Sequence, residues 1–94
     1  MAKYTVISWQ DIPSVVEASD GTNVHRKQLA QRFQELIDEV AMRTGLAGTD
    51  AYLEKWSRGE PIEREGAPEE VANAVAEELE ANFESIKAEA LGKL

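Results

Sequence analysis

The sequence predicts one α+β domain, in which an N-terminal β-hairpin packs against two long amphipathic helices and a short connecting helix. Residues 3–9 alternate as a strand does, and residues 14–19 form a second short β candidate. Two later segments repeat their apolar residues every three or four positions, which indicates helices. No internal repeat or linker divides the 94 residues, so residues 1–94 form a single domain.

The hairpin prediction depends on two short segments rich in β-branched and aromatic residues. KYTVISW, residues 3–9, alternates well for a strand, and SVVEAS, residues 14–19, is the second candidate. Pro13 lacks an N–H and suits an edge or a turn better than a central strand. The second strand is expected to stop at DGTN, where Gly21 accepts a positive φ at no steric cost.

The first long helix is predicted within VHRKQLAQRFQELIDEVAMRTG, residues 24–45. Gly45 is a natural residue for the position just after a helix. Polar residues such as Glu35 and Asp38 fall on the opposite side from the apolar face. The apolar face consists of Leu29, Phe33, Leu36, Ile37 and Val40.

The stretch GLAGTDAYLEKW, residues 45–56, predicts a turn followed by a short helix. Thr49 or Asp50 can cap that helix through a side-chain oxygen, and Gly59 is expected to end it. Tyr52, Leu53 and Trp56 then share one side. These residues either close the core, which is the commoner use of aromatic residues at helical spacing, or stay partly exposed in an interface.

The C-terminal third contains a polar connection and a second long helix. An isolated hairpin is marginally stable, so a third short strand is expected near residues 58–64, or else pairing with another chain. The helix is predicted over residues 68–92, with Pro68 at its first position and Lys87 and Gly92 near its end. Its apolar stripe comprises Val71, Val75, Leu79, Phe83 and Ile86.

Charge and composition exclude several classes of function. The net charge is −8, and residues 60–94 carry ten acidic side chains against three Lys or Arg, a distribution that repels nucleic acid. No run is long and apolar enough for a transmembrane helix, and the N terminus lacks the apolar stretch of a signal peptide. The absence of cysteine excludes disulfides and thiolate chemistry and suits a cytoplasmic protein. The acidic field favours a basic partner.

Three segments resemble a small bacterial domain family known as the virulence factor family. RFQELIDEVAMRTGLAGTDAYLEKW, residues 32–56, is similar to its signature, as are SWQDIP at 8–13 and EEVANAVAEELEANF at 69–83. The resemblance implies relatives that carry this domain beside an iron–sulfur scaffold-like domain and helical repeats. It also implies stand-alone members associated with folate- and corrinoid-linked one-carbon metabolism. It transfers no catalytic motif onto residues of this chain.

The chemistry-bearing residues do not form a catalytic set. His25 is the only histidine, no serine lies in a nucleophile elbow, and the paired carboxylates fall on polar helix faces. GLAGTD weakly resembles a phosphate-binding turn but lacks the lysine and glycine spacing of such motifs. We therefore expect no enzyme activity, catalytic residue, metal or cofactor. The residues retained as candidates for a ligand site are His25, Arg43, Thr49 and Asp50.

Two hypotheses for function follow from the sequence. The first is a non-catalytic interaction domain that binds a protein partner or a second copy of itself, and its candidate contacts are Trp9, Met42, Tyr52 and Trp56. Met42 is informative because it lies away from the apolar face of the first helix, so it either meets the folded-back corner or belongs to an interface. The alternative is a small accessory subunit of a cofactor-dependent enzyme system, in one-carbon metabolism or iron–sulfur assembly. A concave pocket containing His25 or Arg43 would favour that alternative.

Overall fold

The computed structural model describes all residues 1–94 and contains five antiparallel strands and four helices. The strands are β1 (Ala2–Trp9), β2 (Ile12–Ser19), β3 (Val24–Gln28), β4 (Trp56–Arg58) and β5 (Ile62–Arg64). The helices are α1 (Gln31–Arg43), α2 (Asp50–Glu54), α3 (Pro68–Ala81) and α4 (Phe83–Gly92). The predicted α+β class and the N-terminal hairpin of β1 and β2 are therefore confirmed.

The sheet has the order β3-β2-β1, and β4 and β5 share the far edge of β1. β4 pairs with the C-terminal part of β1, and β5 pairs with its N-terminal part. The strand expected near residues 58–64 thus exists as β5, and β4 precedes it. Between them Gly59 donates its N–H to the carbonyl of Val6 at 3.0 Å. A Cβ at Gly59 would lie 3.3 Å from that carbonyl oxygen, so this close approach favours glycine.

Pro13 lies within β2 and not in a turn, and local irregularity explains why it is tolerated. The register of β1 and β2 shifts between Ile7 and Ser8, which marks a β-bulge beside the Ser8–Pro13 pair. β3 pairs only with Val15–Ser19 of β2. At Pro13, therefore, no strand lies on the side of β2 that faces away from β1. A missing N–H is therefore acceptable at this position.

The helices pack against one face of the sheet and form a single core of 16 buried residues with it. Tyr4 and Val6 of β1 and Val16 and Ala18 of β2 belong to or pack against this core. All five residues predicted for the apolar face of the first helix are buried. The opposite sheet face, which includes Lys3, Glu17, Arg26 and Arg58, is open.

Two helix boundaries differ from the sequence prediction. The segment beginning at Val24 does not start the first helix, because residues 24–28 pair with β2 as strand β3. The apolar repeat of the helix begins only at Leu29. Residues 24–28 therefore have no apolar face to bury as a helix, and pairing with β2 makes them a strand. The predicted C-terminal helix is interrupted at Asn82, which separates α3 from α4. The break places Phe83 edge-to-face with Phe33, with ring centroids 5.0 Å apart.

Glu80 connects the start of α1 to this break. One carboxylate oxygen accepts the N–H of Ala30 at 2.7 Å, and the other accepts two bonds from the Arg32 guanidinium, at 3.1 and 3.2 Å. Arg32 also donates to the main-chain carbonyl of Glu80 at 2.8 Å and lies 4.4 Å above the Phe83 ring. Glu80 thus satisfies, from another helix, the N–H of the N-cap residue Ala30. In a capping box that N–H is bonded by a Glu or Gln at position N3, which in α1 is Phe33.

On the open sheet face, Glu17 pairs with two arginines. Arg58 approaches one carboxylate oxygen at 2.7 Å, and Arg26 approaches the other at 2.6 Å. Hydrogen bonding from Arg58, and next from Arg26, lowers the pKa of Glu17 below its ordinary value of 4.5. Arg58 also donates to the Thr5 hydroxyl, so the network crosses from β4 over β1 and β2 to β3.

We expect Glu80→Ala to lower the free energy of unfolding by about 2 kcal/mol, because it removes the acceptor for Ala30 and the partner of Arg32. Urea unfolding followed by circular dichroism measures this loss. Glu77→Ala is the matched control, since Glu77 is an exposed residue of α3 and is expected to change stability by less than about 0.5 kcal/mol. Equal losses in the two variants would contradict the proposed role of Glu80.

Glu17→Gln tests the arginine network through its pH dependence. Because the pKa of Glu17 is lowered in the folded state, its contribution is fully present above the ordinary value of 4.5 and is lost as pH falls through the lowered value. We expect the wild type to be more stable at pH 7 by about 1 kcal/mol, and the difference to close under acidic conditions. Urea unfolding across pH measures it. Glu63→Gln on β5 is the control, and a difference independent of pH would contradict the prediction.

Candidate interaction surface

The turn after α1 is built from main-chain hydrogen bonds that the glycine spacing permits. Gly45 has a φ of 74° and donates its N–H to the carbonyl of Met42 at 3.2 Å. Leu46 donates to the carbonyl of Ala41 at 2.8 Å, which completes a Schellman motif. Leu46 packs against the core, so it fixes the direction in which the chain leaves the helix. The prediction that Gly45 ends the first helix is confirmed.

Of the two residues predicted as possible caps, Thr49 caps the short helix α2, and Asp50 is its first residue. Its hydroxyl oxygen accepts the N–H of Tyr52 at 3.3 Å and donates to the carbonyl of Leu46 at 2.6 Å. The helix ends earlier than predicted, at Glu54, and Trp56 begins β4 instead of continuing the helix toward Gly59. Trp56 pairs directly with Trp9, which the sequence pattern of the segment alone did not indicate.

An aromatic cluster of Trp9, Tyr52 and Trp56 joins the corner to the sheet. Trp9 is completely buried, and its indole N–H donates to the carbonyl of Tyr52 at 2.9 Å. The ring centroids of Trp9 and Tyr52 are 5.3 Å apart, and those of Tyr52 and Trp56 are 6.4 Å apart in an edge-to-face arrangement. Because Trp9 is completely buried, no part of its side chain can contact a partner. Trp9 is therefore no longer a candidate contact. Tyr52 and Trp56 are half-buried.

A shallow groove with a volume of about 460 Å³ lies between α1 and this corner. Met42, 68% exposed, forms one wall, and Tyr52 lies on the other. Leu53, on the same short helix as Tyr52, is 65% exposed. Met42 therefore lies beside the folded-back corner but remains exposed. The complete lining consists of Asp38, Ala41, Met42, Ala47, Gly48 and Tyr52.

Asp38 is the one charged residue that lines the groove. Asp50 and Glu54 are exposed on α2 but do not line it. The nearby Arg43 is paired with Glu39 at 3.0 Å. An apolar groove with a carboxylate in its lining complements an apolar side chain flanked by a basic residue.

The candidate ligand-site residues are not brought together by the fold. His25 lies on the edge strand β3, and Arg43 lies near the end of α1, and neither lines any of the four cavities in the structure. Thr49 is engaged as a helix cap, and Asp50 is the first residue of α2. No group of three or more side chains is arranged to hold a metal ion.

The loop at Gly45–Thr49 has little capacity to hold an anion. The N–H groups of Gly45, Leu46, Ala47 and Thr49 already donate to main-chain carbonyls. A phosphate-binding turn needs such N–H groups free and directed at the ligand. The weak sequence resemblance to a phosphate-binding turn is therefore explained by helix termination and capping.

The sequence profile of the virulence factor family matches residues 7–91, nearly the whole chain. The chain belongs to the virulence factor family. The match covers all of α1, the groove and α3, so the surface described here lies within the family domain. Neither a curated protein nor a solved structure matches the chain. No helix has both the length and the apolar character required to cross a membrane.

Trp9→Phe tests the attachment of the corner to the sheet. It removes the bond to the Tyr52 carbonyl and part of a fully buried ring, and we expect it to lower the free energy of unfolding by about 2 kcal/mol. Trp56→Phe is the control, since Trp56 is half-buried, and its loss should be about 1 kcal/mol or less. Urea unfolding measures both. A larger loss for Trp56→Phe would contradict the central position of Trp9.

Proposed function

We propose that this domain of the virulence factor family is a protein-interaction domain, whose groove between α1 and α2 binds a partner segment with apolar and basic residues. The observation that carries the proposal is the exposure of Met42 in the wall of an apolar groove of about 460 Å³. Flexible methionine side chains are frequent on surfaces that bind apolar partners. Asp38 in the lining favours a basic partner, in agreement with the net charge of −8.

Asp38 argues against a symmetric dimer whose axis passes through the groove. Such an axis would bring Asp38 of one copy toward Asp38 of the other. Like charges placed together in an interface disfavour association. We therefore propose a different protein as the partner. A cytoplasmic site of action fits the proposal, since a chain without cysteine requires no oxidising compartment.

The experiment uses an amphipathic helical peptide built from leucine and lysine, titrated into the ¹⁵N-labelled domain. We expect saturable shifts of the Ala47 and Gly48 amides, which line the groove. Met42→Gln should weaken binding by about tenfold, because it replaces an apolar contact at the groove. Ile62→Gln is the matched control, since Ile62 is also an exposed apolar residue but lies on β5.

Three outcomes would overturn the proposal. The first is an equal affinity for a peptide in which glutamate replaces lysine, because Asp38 in the groove should repel glutamate. The second is equal weakening by Ile62→Gln, which would indicate nonspecific adsorption of an apolar peptide. The third is dilution-dependent shifts of the Ala47 and Gly48 amides without peptide, which would identify a second copy as the occupant.

A further inference from the structure

The outer edge of β3 presents unpaired main-chain groups. Two main-chain hydrogen bonds flank the ladder between β2 and β3 and continue its register. Leu29 donates to the carbonyl of Ser14, and Asp20 donates to the carbonyl of Asn23. Because hydrogen-bonded and non-hydrogen-bonded pairs alternate in an antiparallel ladder, Lys27 and His25 direct their N–H and C=O groups toward β2. Those of Val24, Arg26 and Gln28 consequently point away from the sheet.

These three residues are free to pair with an added strand. No strand lies beyond β3 in the sheet, and none of the 16 main-chain hydrogen bonds outside the helices and ladders uses Val24, Arg26 or Gln28. All three are exposed, and Val24 is 63% exposed. An edge of this kind either is protected by its charged side chains or accepts an extended peptide through main-chain hydrogen bonds.

The charge on the open sheet face favours an acidic occupant. The side chains of Val24, Arg26 and Gln28 lie on the same face as Glu17, because residues paired across a ladder share a face. Glu17 is shared by Arg26 and Arg58, so one carboxylate faces two guanidinium groups and one positive charge is uncompensated. A strand added in register would place one side chain beside Arg26 on this face, where a carboxylate is favoured.

The surroundings of β3 also restrict the position of the acidic residue and the identity of the partner. On the helix side, Lys27 borders a cavity that Glu77 and Glu80 also line, so that side offers no net attraction for an acid. A second copy paired about a two-fold axis centred on the strand would place Arg26 opposite its own copy, which is unfavourable. A separate acidic peptide avoids this repulsion.

We propose that the free edge of β3 binds an extended peptide with an acidic residue opposite Arg26 and an apolar residue opposite Val24. The peptide adds an antiparallel strand, and the outward N–H and C=O groups of Val24, Arg26 and Gln28 bind its main chain. The acidic side chain completes the pairing of Glu17, Arg26 and Arg58, and the apolar side chain covers Val24. This surface is distinct from the groove between α1 and α2 and takes a partner of opposite charge.

The probe is the peptide acetyl-Thr-Thr-Glu-Thr-Val-amide, titrated into the ¹⁵N-labelled domain. Its glutamate falls opposite Arg26 and its valine opposite Val24 when the strands are antiparallel. We expect saturable shifts of the Val24, Arg26 and Gln28 amides. A peptide with lysine in place of glutamate should bind about tenfold more weakly, because a like-charge pair replaces an attractive one.

A pair of variants at Gln28 separates main-chain pairing from charge. Gln28→Pro removes an outward N–H without removing a bond to β2, and it should weaken binding about fivefold or more. Gln28→Ala keeps the N–H and should bind the probe as the wild type does. Circular dichroism and the retained amide spectrum of β2 establish that both variants are folded.

Each alternative occupant or role gives a different result. Absence of saturable shifts would mean that the charged side chains only protect the edge, and would overturn the proposal. Equal affinity of Gln28→Pro and Gln28→Ala would exclude strand addition. Concentration-dependent shifts of the same amides without peptide would identify a second copy as the occupant, which also overturns it. None of these outcomes bears on the groove, whose probe and variants are different.

Discussion

The structure depends on burying the apolar stripes of the helices against one face of a small sheet. A chain of 94 residues has enough large apolar side chains for one core, and all 16 buried core residues form one cluster. β1 and β2 supply the sheet side of this core, and the other elements lie around it. One face of the sheet therefore stays open, and both of its outer edges are formed by strands of only three to five residues.

Two contacts fix the elements that the core alone would leave adjustable. The indole of Trp9 holds the corner through the Tyr52 carbonyl, so α2 and β4 are placed at the end of β1. Glu80 and Arg32 hold the start of α1 against the break between α3 and α4. In both cases a polar group satisfies a main-chain partner that the local sequence leaves open, and this converts a packing preference into a defined geometry.

The distribution of charge gives the molecule two surfaces of opposite character. The groove beside α1 is apolar and has Asp38 in its lining, whereas β3 contains His25, Arg26 and Lys27 within one edge strand. Neither surface is explained by the needs of the fold, because Met42 and Val24 are largely exposed and contribute little to the core.

The sequence by itself determined the α+β class, the residues of the apolar helix faces, the Gly45 termination and the Thr49 cap. Each of these follows from local chemistry: side-chain period, positive φ at glycine, and a hydroxyl placed to accept an N–H. The sequence could also identify Met42 as an apolar residue outside the buried face of α1, and Tyr52 as a residue of the corner.

Only the tertiary structure decided which competing local patterns prevail. VHRKQ is compatible with a helix, but it pairs with β2 as a strand, and this pairing supplies the main-chain hydrogen bonds of His25 and Lys27. Trp56 belongs to β4 and not to the short helix because it pairs with Trp9, 47 positions earlier in the chain. The final helix broke at Asn82, where contacts from Arg32 and Phe33 place Phe83 against α1. All three differences arise from contacts between residues that are distant in sequence. A local sequence pattern carries no information about the energies of such contacts.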